Sequence, residues 1–257
     1  MQPEPAPTQP AIDRDALIFT LRKMARARNK AATATTLLET GEPRPYVSLT
    51  ATATDIDGSP ILLLSKLADH TRNLERDPRL SMLFEDCGHY ANPQQGPRVT
   101  LIARAEKAED EVTRERLRRR YLARHPGASL YAGFGDFAFF KVVPERAHWV
   151  GGFGRAVWLN QSWVCSDEAV SAFLAAESDL IGRINAEQSE TLSHLGRSLL
   201  KIRAKHWKCV AADPDGIDVV CAKRVYRIGF PKPLMTPAEA IPTLGNLAVL
   251  GKNETIC

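Results

Sequence analysis

The chain has 257 residues, 44% of them hydrophobic and 25% charged, proportions that exclude general disorder and fibrous repeats. Lysine and arginine exceed the acidic residues by four, which favours an anionic ligand somewhere but falls short of a nucleic-acid-binding charge. No stretch approaches about eighteen consecutive apolar residues, so no membrane span is expected.

Met1 to Pro10 carries four prolines and no apolar run of the secretory kind. Residues 1–11 therefore read as a disordered leader, because proline-rich polar sequence buries too little apolar area to offset its ordering entropy. The five cysteines (Cys87, Cys165, Cys209, Cys221, Cys257) are odd in number, far apart and form no CxxC pair. Reduced thiols in a cytoplasmic protein are expected, with neither a disulfide framework nor a zinc site.

Ile12 to Arg28 has Leu17, Ile18, Leu21, Met24 and Ala25 at helical spacing, with Asp13 as N-cap. β-type runs follow at Ala34 to Glu39 and Tyr46 to Thr54, then turn chemistry at Asp57-Gly58-Ser59-Pro60 and an apolar run at Ile61 to Leu64. A short helix is expected at Asp69 to Arg76, then strands at Leu80 to Phe84 and Pro97 to Ala105. Asp110 to Arg124 reads as a charged helix, and Phe137 to Val143 and Ala147 to Val150 as two strands around Pro144. Six or seven short strands with few helices point to a closed or nearly closed β-barrel spanning residues 12–160. A doubly wound sheet fits less well, since its helices alternate with every strand.

After Gly151-Gly152-Phe153-Gly154 the pattern turns helical from about Ser166 to Ile202, interrupted near Ser178. Three short strands are expected at His206 to Ala211, Ile217 to Cys221 and Arg224 to Ile228. Asp213-Pro214-Asp215-Gly216 forms the first hairpin loop, and Pro237 to Leu250 is a closing helix. Residues 161–257 thus form a separate α+β domain.

The segment richest in chemistry runs from Ser65 to Asn73. It leaves a strand and enters a helix, offering Ser65, Lys66, His70, Thr71, Arg72 and Asn73. A helix N-terminus favours phosphate, Arg adds a planar fork and Lys a point charge. The same composition also suits an ordinary solvated helix start.

Pro45-Tyr46-Val47-Ser48-Leu49, Leu64-Ser65-Lys66, His70-Thr71-Arg72-Asn73-Leu74 and Asp77-Pro78-Arg79-Leu80-Ser81 occur in an order that resembles the FMN-binding split barrels related to pyridoxamine 5′-phosphate oxidase. Gly96-Pro97-Arg98-Val99-Thr100-Leu101 and Val150-Gly151-Gly152-Phe153-Gly154-Arg155-Ala156 bring it closer still to the HugZ-like haem-utilisation branch, whose members carry a C-terminal α+β domain. The resemblance implies an α+β protein with a six-stranded antiparallel split barrel. It also implies a homodimer with flavin sites in the clefts between subunits. Carried over, Ser65, Lys66, Thr71, Arg72 and Asn73 match the phosphate side, with His70 in the same segment, while Tyr46 and Ser48 face the flavin ring.

The sequence departs from both sets of relatives. The Arg-x-His ending of pyridoxamine phosphate oxidases is absent: only Arg155 follows the strand bearing His148 and Trp149, so vitamin B6 oxidation is not expected. Where HugZ-like proteins have a Met-Asn-x-Asp-His pattern, this chain has Ile184-Asn185-Ala186-Glu187-Gln188, with glutamine at the histidine position and His194 six residues on. Three functions follow from the resemblance. The first is an FMN-dependent oxidoreductase acting on a small molecule. The second is haem binding or degradation, and the third a non-catalytic interaction module on the same fold. Neither nucleic acid nor membrane is expected as a partner.

Overall fold

The computed structural model describes residues 13–38, 42–152 and 154–250; the proline-rich leader, Phe153 and Cys257 lie outside them. Helix α1 (Arg14–Ala27) starts at Asp13, whose carboxylate accepts the amides of Asp15 and Ala16 at 3.1 Å. It buries Ile18, Leu21 and Ala25, and also Arg22 and Arg26.

Strands β1 (Lys30–Leu37), β2 (Arg44–Ala51), β3 (Ala53–Thr54), β4 (Pro60–Ser65), β5 (Arg79–Glu85), β6 (Arg98–Lys107), β7 (Phe137–Val150) and β8 (Ala156–Leu159) form one antiparallel sheet. Its order is β2-β1-β5-β6-β7-β4-β3, with β8 beside β7. Only Thr52 separates β2 from β3, so the path ends on the strand where it began. β2 and β3 are two halves of one bent strand, which closes a six-stranded barrel. The α+β split-barrel architecture expected from the sequence is the one observed.

Helix α2 (Asp69–Arg76) lies over β1, and α3 (Glu111–Arg124) packs Leu117 and Tyr121 against Ile61, Leu63 and Phe139. Leu62, Leu64, Met82, Phe84, Leu101 and Val142 fill the barrel. β4 reads as a continuous apolar run because the barrel core and α3 cover its two faces.

Two strand expectations need correction. The runs on either side of Pro144 are a single strand, β7. Its register against β6 shifts between Ile102 and Ala103, leaving Glu145 as an extra residue beside Pro144. Proline cannot donate to a ladder, and a bulge absorbs it without ending the strand. β8 was not anticipated at all. It returns along β7 through a loop in which the Trp149 ring lies over Gly151, where a Cβ would come within 2.1 Å of the indole.

The C-terminal unit consists of α4 (Asp167–Glu187), α5 (Ser189–Ser198), the sheet β9 (Lys208–Asp213), β10 (Gly216–Cys221) and β11 (Arg224–Gly229), and α6 (Ala240–Leu250). The helix break falls at Gln188 rather than near Ser178. Ser178 and Asp179 face solvent, while Phe173, Leu180 and Ile184 continue one buried stripe past them.

A buried ionic cluster joins this unit to the barrel. Asp215 receives Arg22 Nε at 2.6 Å, Arg22 Nη2 at 2.8 Å and Arg26 Nε at 2.8 Å. Asp213 receives Arg26 Nη1 at 3.0 Å, Arg120 Nη2 at 2.9 Å and both Nη atoms of Arg227. Arg120 also reaches Glu177 of α4. Burial alone would raise the Asp213 carboxyl, but the guanidiniums of Arg227, Arg26 and Arg120 outweigh it and hold the group below the usual carboxylate range. The Asp-Pro-Asp-Gly hairpin turn was legible in the sequence; its role as the anionic centre of this cluster was not.

Candidate functional site

The phosphate-side segment leaves β4 and enters α2. Backbone Lys66 N donates to Asp136 O at 2.8 Å, which pins the turn to the loop before β7. The Ser65 hydroxyl donates to Asp136 Oδ2 at 2.7 Å and accepts Leu67 N at 3.2 Å. Asp69 is the first residue of α2, after Ala68 as N-cap, and it pairs with Arg72 one turn on. Lys66 is exposed and lines a separate cavity of about 380 Å³ with Lys107, Arg114 and Phe139.

Thr71 and Asn73 point inward instead. Asn73 Nδ2 donates to Thr35 Oγ1 at 3.1 Å, tying α2 to β1. Thr71 is buried, and its Oγ1 finds no partner among the described residues. Burial pushes the His70 imidazole below its ordinary pKa, against the pull of the Asp69 carboxylate. On β2, Tyr46 and Ser48 stand opposite Thr35 and Thr33, and Ser48 Oγ is a second buried hydroxyl without a partner.

The expected cradle is therefore only partly assembled. Asp136 accepts the Ser65 hydroxyl, Asp69 pairs with Arg72, and Lys66 faces elsewhere. A flavin phosphate would meet two carboxylates where it needs free donors, so the corner does not fit that group as it stands.

The opposite surface of the barrel wall tells a different story. Register places Leu49, Ala32, Leu83, Thr100, His148 and Trp158 in one row across β2, β1, β5, β6, β7 and β8. The next row is Val47, Ala34, Ser81, Ile102 and Arg146. This face is exposed: Val47 is 64% accessible, Leu49 69% and Trp158 45%. Exposed apolar side chains grouped on one sheet face make it a candidate binding surface. The His148 ring stacks on Trp158 at 4.6 Å, and neither imidazole nitrogen is hydrogen-bonded among the described residues. The Arg146 guanidinium lies 4.5 Å from the centre of the same indole. Between β1, β2 and β5 the face carries a groove of about 420 Å³ lined by Ala34, Pro45, Ile102, Arg44 and Arg79. Arg79 is held by Asp77, whereas Arg44 has no ion pair among the described residues.

The sequence reading cited His148 only as part of a strand. Its alternation with Trp149 was the available signal: one side chain must enter the barrel while the other faces out.

The barrel decides the family. Residues 20–164 match the model described as "CREG, beta-barrel", more than half of the chain. The chain belongs to this family. Over 96% of its length it is similar in structure to Atu2129 of Agrobacterium tumefaciens, a protein of unknown function (27% identity, TM-score 0.71, 98% of that chain covered). A haem-binding protein of Mycobacterium smegmatis shares the fold at 24% identity and a TM-score of 0.53, with 95% of this chain and all of that one covered. In sequence, 115 residues are 36% identical to the non-canonical, chloroplastic heme oxygenase HOZ of Arabidopsis thaliana, covering 45% of this chain. The chain spans about a third (34%) of the length of that curated relative. Among the described residues no helix is long and apolar enough to cross a membrane, and no group of three or more His, Cys, Asp or Glu is placed to hold a metal ion.

Proposed function

We propose that this member of the CREG β-barrel family handles haem, binding it against the outer wall of the barrel. The observation that carries the reading is His148. It presents unbonded ring nitrogens on an exposed apolar face, about 7 Å along the strands from the groove row that ends in Ile102 and Arg146. Haem iron takes a histidine nitrogen, its macrocycle needs apolar walls and its propionates need cations. His148, the face bearing Val47, Leu49 and Leu83, and Arg44 supply these in turn. Haem bound there supplies iron-centred redox and oxygen chemistry. The protein's part is to offer the nitrogen, exclude water with the aliphatic rows and fix the carboxylates. The names of the haem-binding and heme-oxygenase relatives support the same reading.

The exposed face also supports a homodimer, in which the wall of a second copy covers Leu49 and Leu83 and encloses the ligand. Oxygen-dependent degradation, storage and transfer all begin from this complex, and a small-molecule ligand is common to them. A cytoplasmic location is part of the proposal, supported by the four free cysteines among the described residues, although the Arabidopsis relative is chloroplastic.

An FMN-dependent oxidoreductase is the second reading. It is favoured by one observation, the buried unpartnered hydroxyl of Ser48 on the expected ring side, which a flavin edge would satisfy. The absorbance spectrum of the purified protein separates the two. Titration with haemin should give a saturable Soret band that His148→Ala abolishes or shifts, with the fold intact by circular dichroism. A yellow protein, or broad non-saturating haemin uptake equal in wild type and variant, overturns the haem reading.

A further inference from the structure

Helix α5 and the segment leading to β9 carry cations without counter-ions. Between Thr191 and Ala212 the sequence has Arg197, Lys201, Arg203, Lys205 and Lys208 and no acidic residue. None of the five makes an ion pair among the described residues. Helix α3 is the contrast: every one of its six arginines pairs with a carboxylate.

The unpaired segment is nonetheless firmly held. The Ser193 hydroxyl donates to Lys205 O at 3.1 Å, Ile202 N to Gly196 O at 2.9 Å, and Trp207 Nε1 to Ala204 O at 3.2 Å. The Trp207 indole sits on Gly196, where a Cβ would lie 2.4 Å from the ring. Lys201 adopts φ +56°, a conformation that a non-glycine residue keeps only when its surroundings enforce it. Between α5 and this strap lies an open groove of about 620 Å³ lined by His194, Arg197, Lys205 and Ser189, with Glu190 the one carboxylate among its described lining residues. His194 Nε2 is buried and has no hydrogen-bond partner among the described residues.

We propose that this groove binds a small phosphate-bearing ligand, gripped by Arg197 and Lys205 with His194 beside them. Arginine offers a planar fork to two phosphate oxygens, and lysine adds a mobile point charge. The anchored backbone fixes the positions on α5 and the strap from which Arg197 and Lys205 reach the groove, so less backbone ordering entropy opposes binding. One carboxylate against two cations leaves net attraction for a dianion. A merely solvated cationic face does not account for the strained, anchored strap. The inference is independent of the haem reading, whose residues all lie on the barrel.

Calorimetric titration of the full chain with inorganic pyrophosphate tests it. Saturable one-to-one binding is expected, weakened about tenfold or more in Arg197→Ala/Lys205→Ala, since each lost charge-assisted bond accounts for roughly such a factor. Lys201→Ala/Arg203→Ala removes equal charge from the same strap outside the groove lining and should change affinity less than about twofold. A His194→Gln variant reports whether the imidazole side of the groove takes part, by a shift in the bound 31P resonance. Three results overturn the proposal: no saturable binding, equal loss in both double variants, or tighter binding of single-stranded RNA than of pyrophosphate with equal sensitivity to both pairs. The last two would mark a diffuse polyanion surface.

Discussion

Replacing Asp215 by Asn removes one charge from the cluster that joins the C-terminal unit to the barrel while keeping its shape. Among the described residues Asp215 is the only carboxylate paired with Arg22, which otherwise donates to Trp163 O at 2.9 Å. Arg26 keeps Asp213. The Asn variant therefore leaves Arg22, only 5% exposed, as a buried cation without a counter-ion. Removing one partner of a buried pair costs about 3–5 kcal/mol, because the remaining charge has lost both water and its counter-ion. At roughly 2–4 °C per kcal/mol for a chain of this size, the melting temperature should fall by about 10 °C. Urea unfolding followed by tryptophan fluorescence and far-UV circular dichroism measures the loss. Arg22→Met added to Asp215→Asn should restore part of it, since the uncompensated charge is then gone. An Asp215→Asn variant within about 1 kcal/mol of the parent, or a double variant less stable than the single, would refute this account of the cluster.

Acid should act on the same residues. Asp213, Asp215 and Asp55 all have pKa values lowered in the folded protein, burial being outweighed by neighbouring guanidiniums and, for Asp55, also Lys141. Their stabilisation is thus complete above the ordinary aspartate value of about 4 and is lost as pH falls through the folded values. Melting temperature should be flat in this respect from neutral pH to about 4.5 and drop below it, less steeply in Asp215→Asn. Gly151→Ala drives a methyl group into the Trp149 ring and should cost about 1–3 kcal/mol by thermal melt; an unchanged melt would mean that the β7–β8 loop relaxes freely. Burial pushes the Cys165 thiol up to about 11, so a disulfide reagent at pH 8 should leave it unmodified until the protein unfolds. Rapid modification of the native protein would place that thiol nearer solvent than its 6% exposure allows.

Much of the barrel was legible because local rules and tertiary demands agree there. Asp69 to Arg76 is a helix in both readings, since Pro78 forbids its extension and Leu74 anchors it on the core. Alternation in β2 marked Val47 and Leu49 as one face, although nothing local said that this apolar face would be the outer one. Pro144 misled because proline usually ends a strand, and only the partner strand's register provides the bulge that spares this one. Ser178 misled because hydroxyl and acidic residues often break helices, yet on the solvent side of α4 they are harmless.

The candidate site divides along the same line. Ser65, Thr71, Arg72 and Asn73 were identified by type and order, which a single chain displays. Whether their donors are free depends on Asp136, seventy-one residues beyond Ser65, and on the inward turn of Thr71. Composition, turn chemistry and periodicity by themselves determined a nearly closed β-barrel followed by a second α+β unit, because those signals act over a few neighbouring residues; the split-barrel form was implied by the family resemblance. Which charges are paired, which face is left bare and where His148 points were decided by the tertiary structure. Electrostatic pairing and burial are properties of residues brought together from distant parts of the chain.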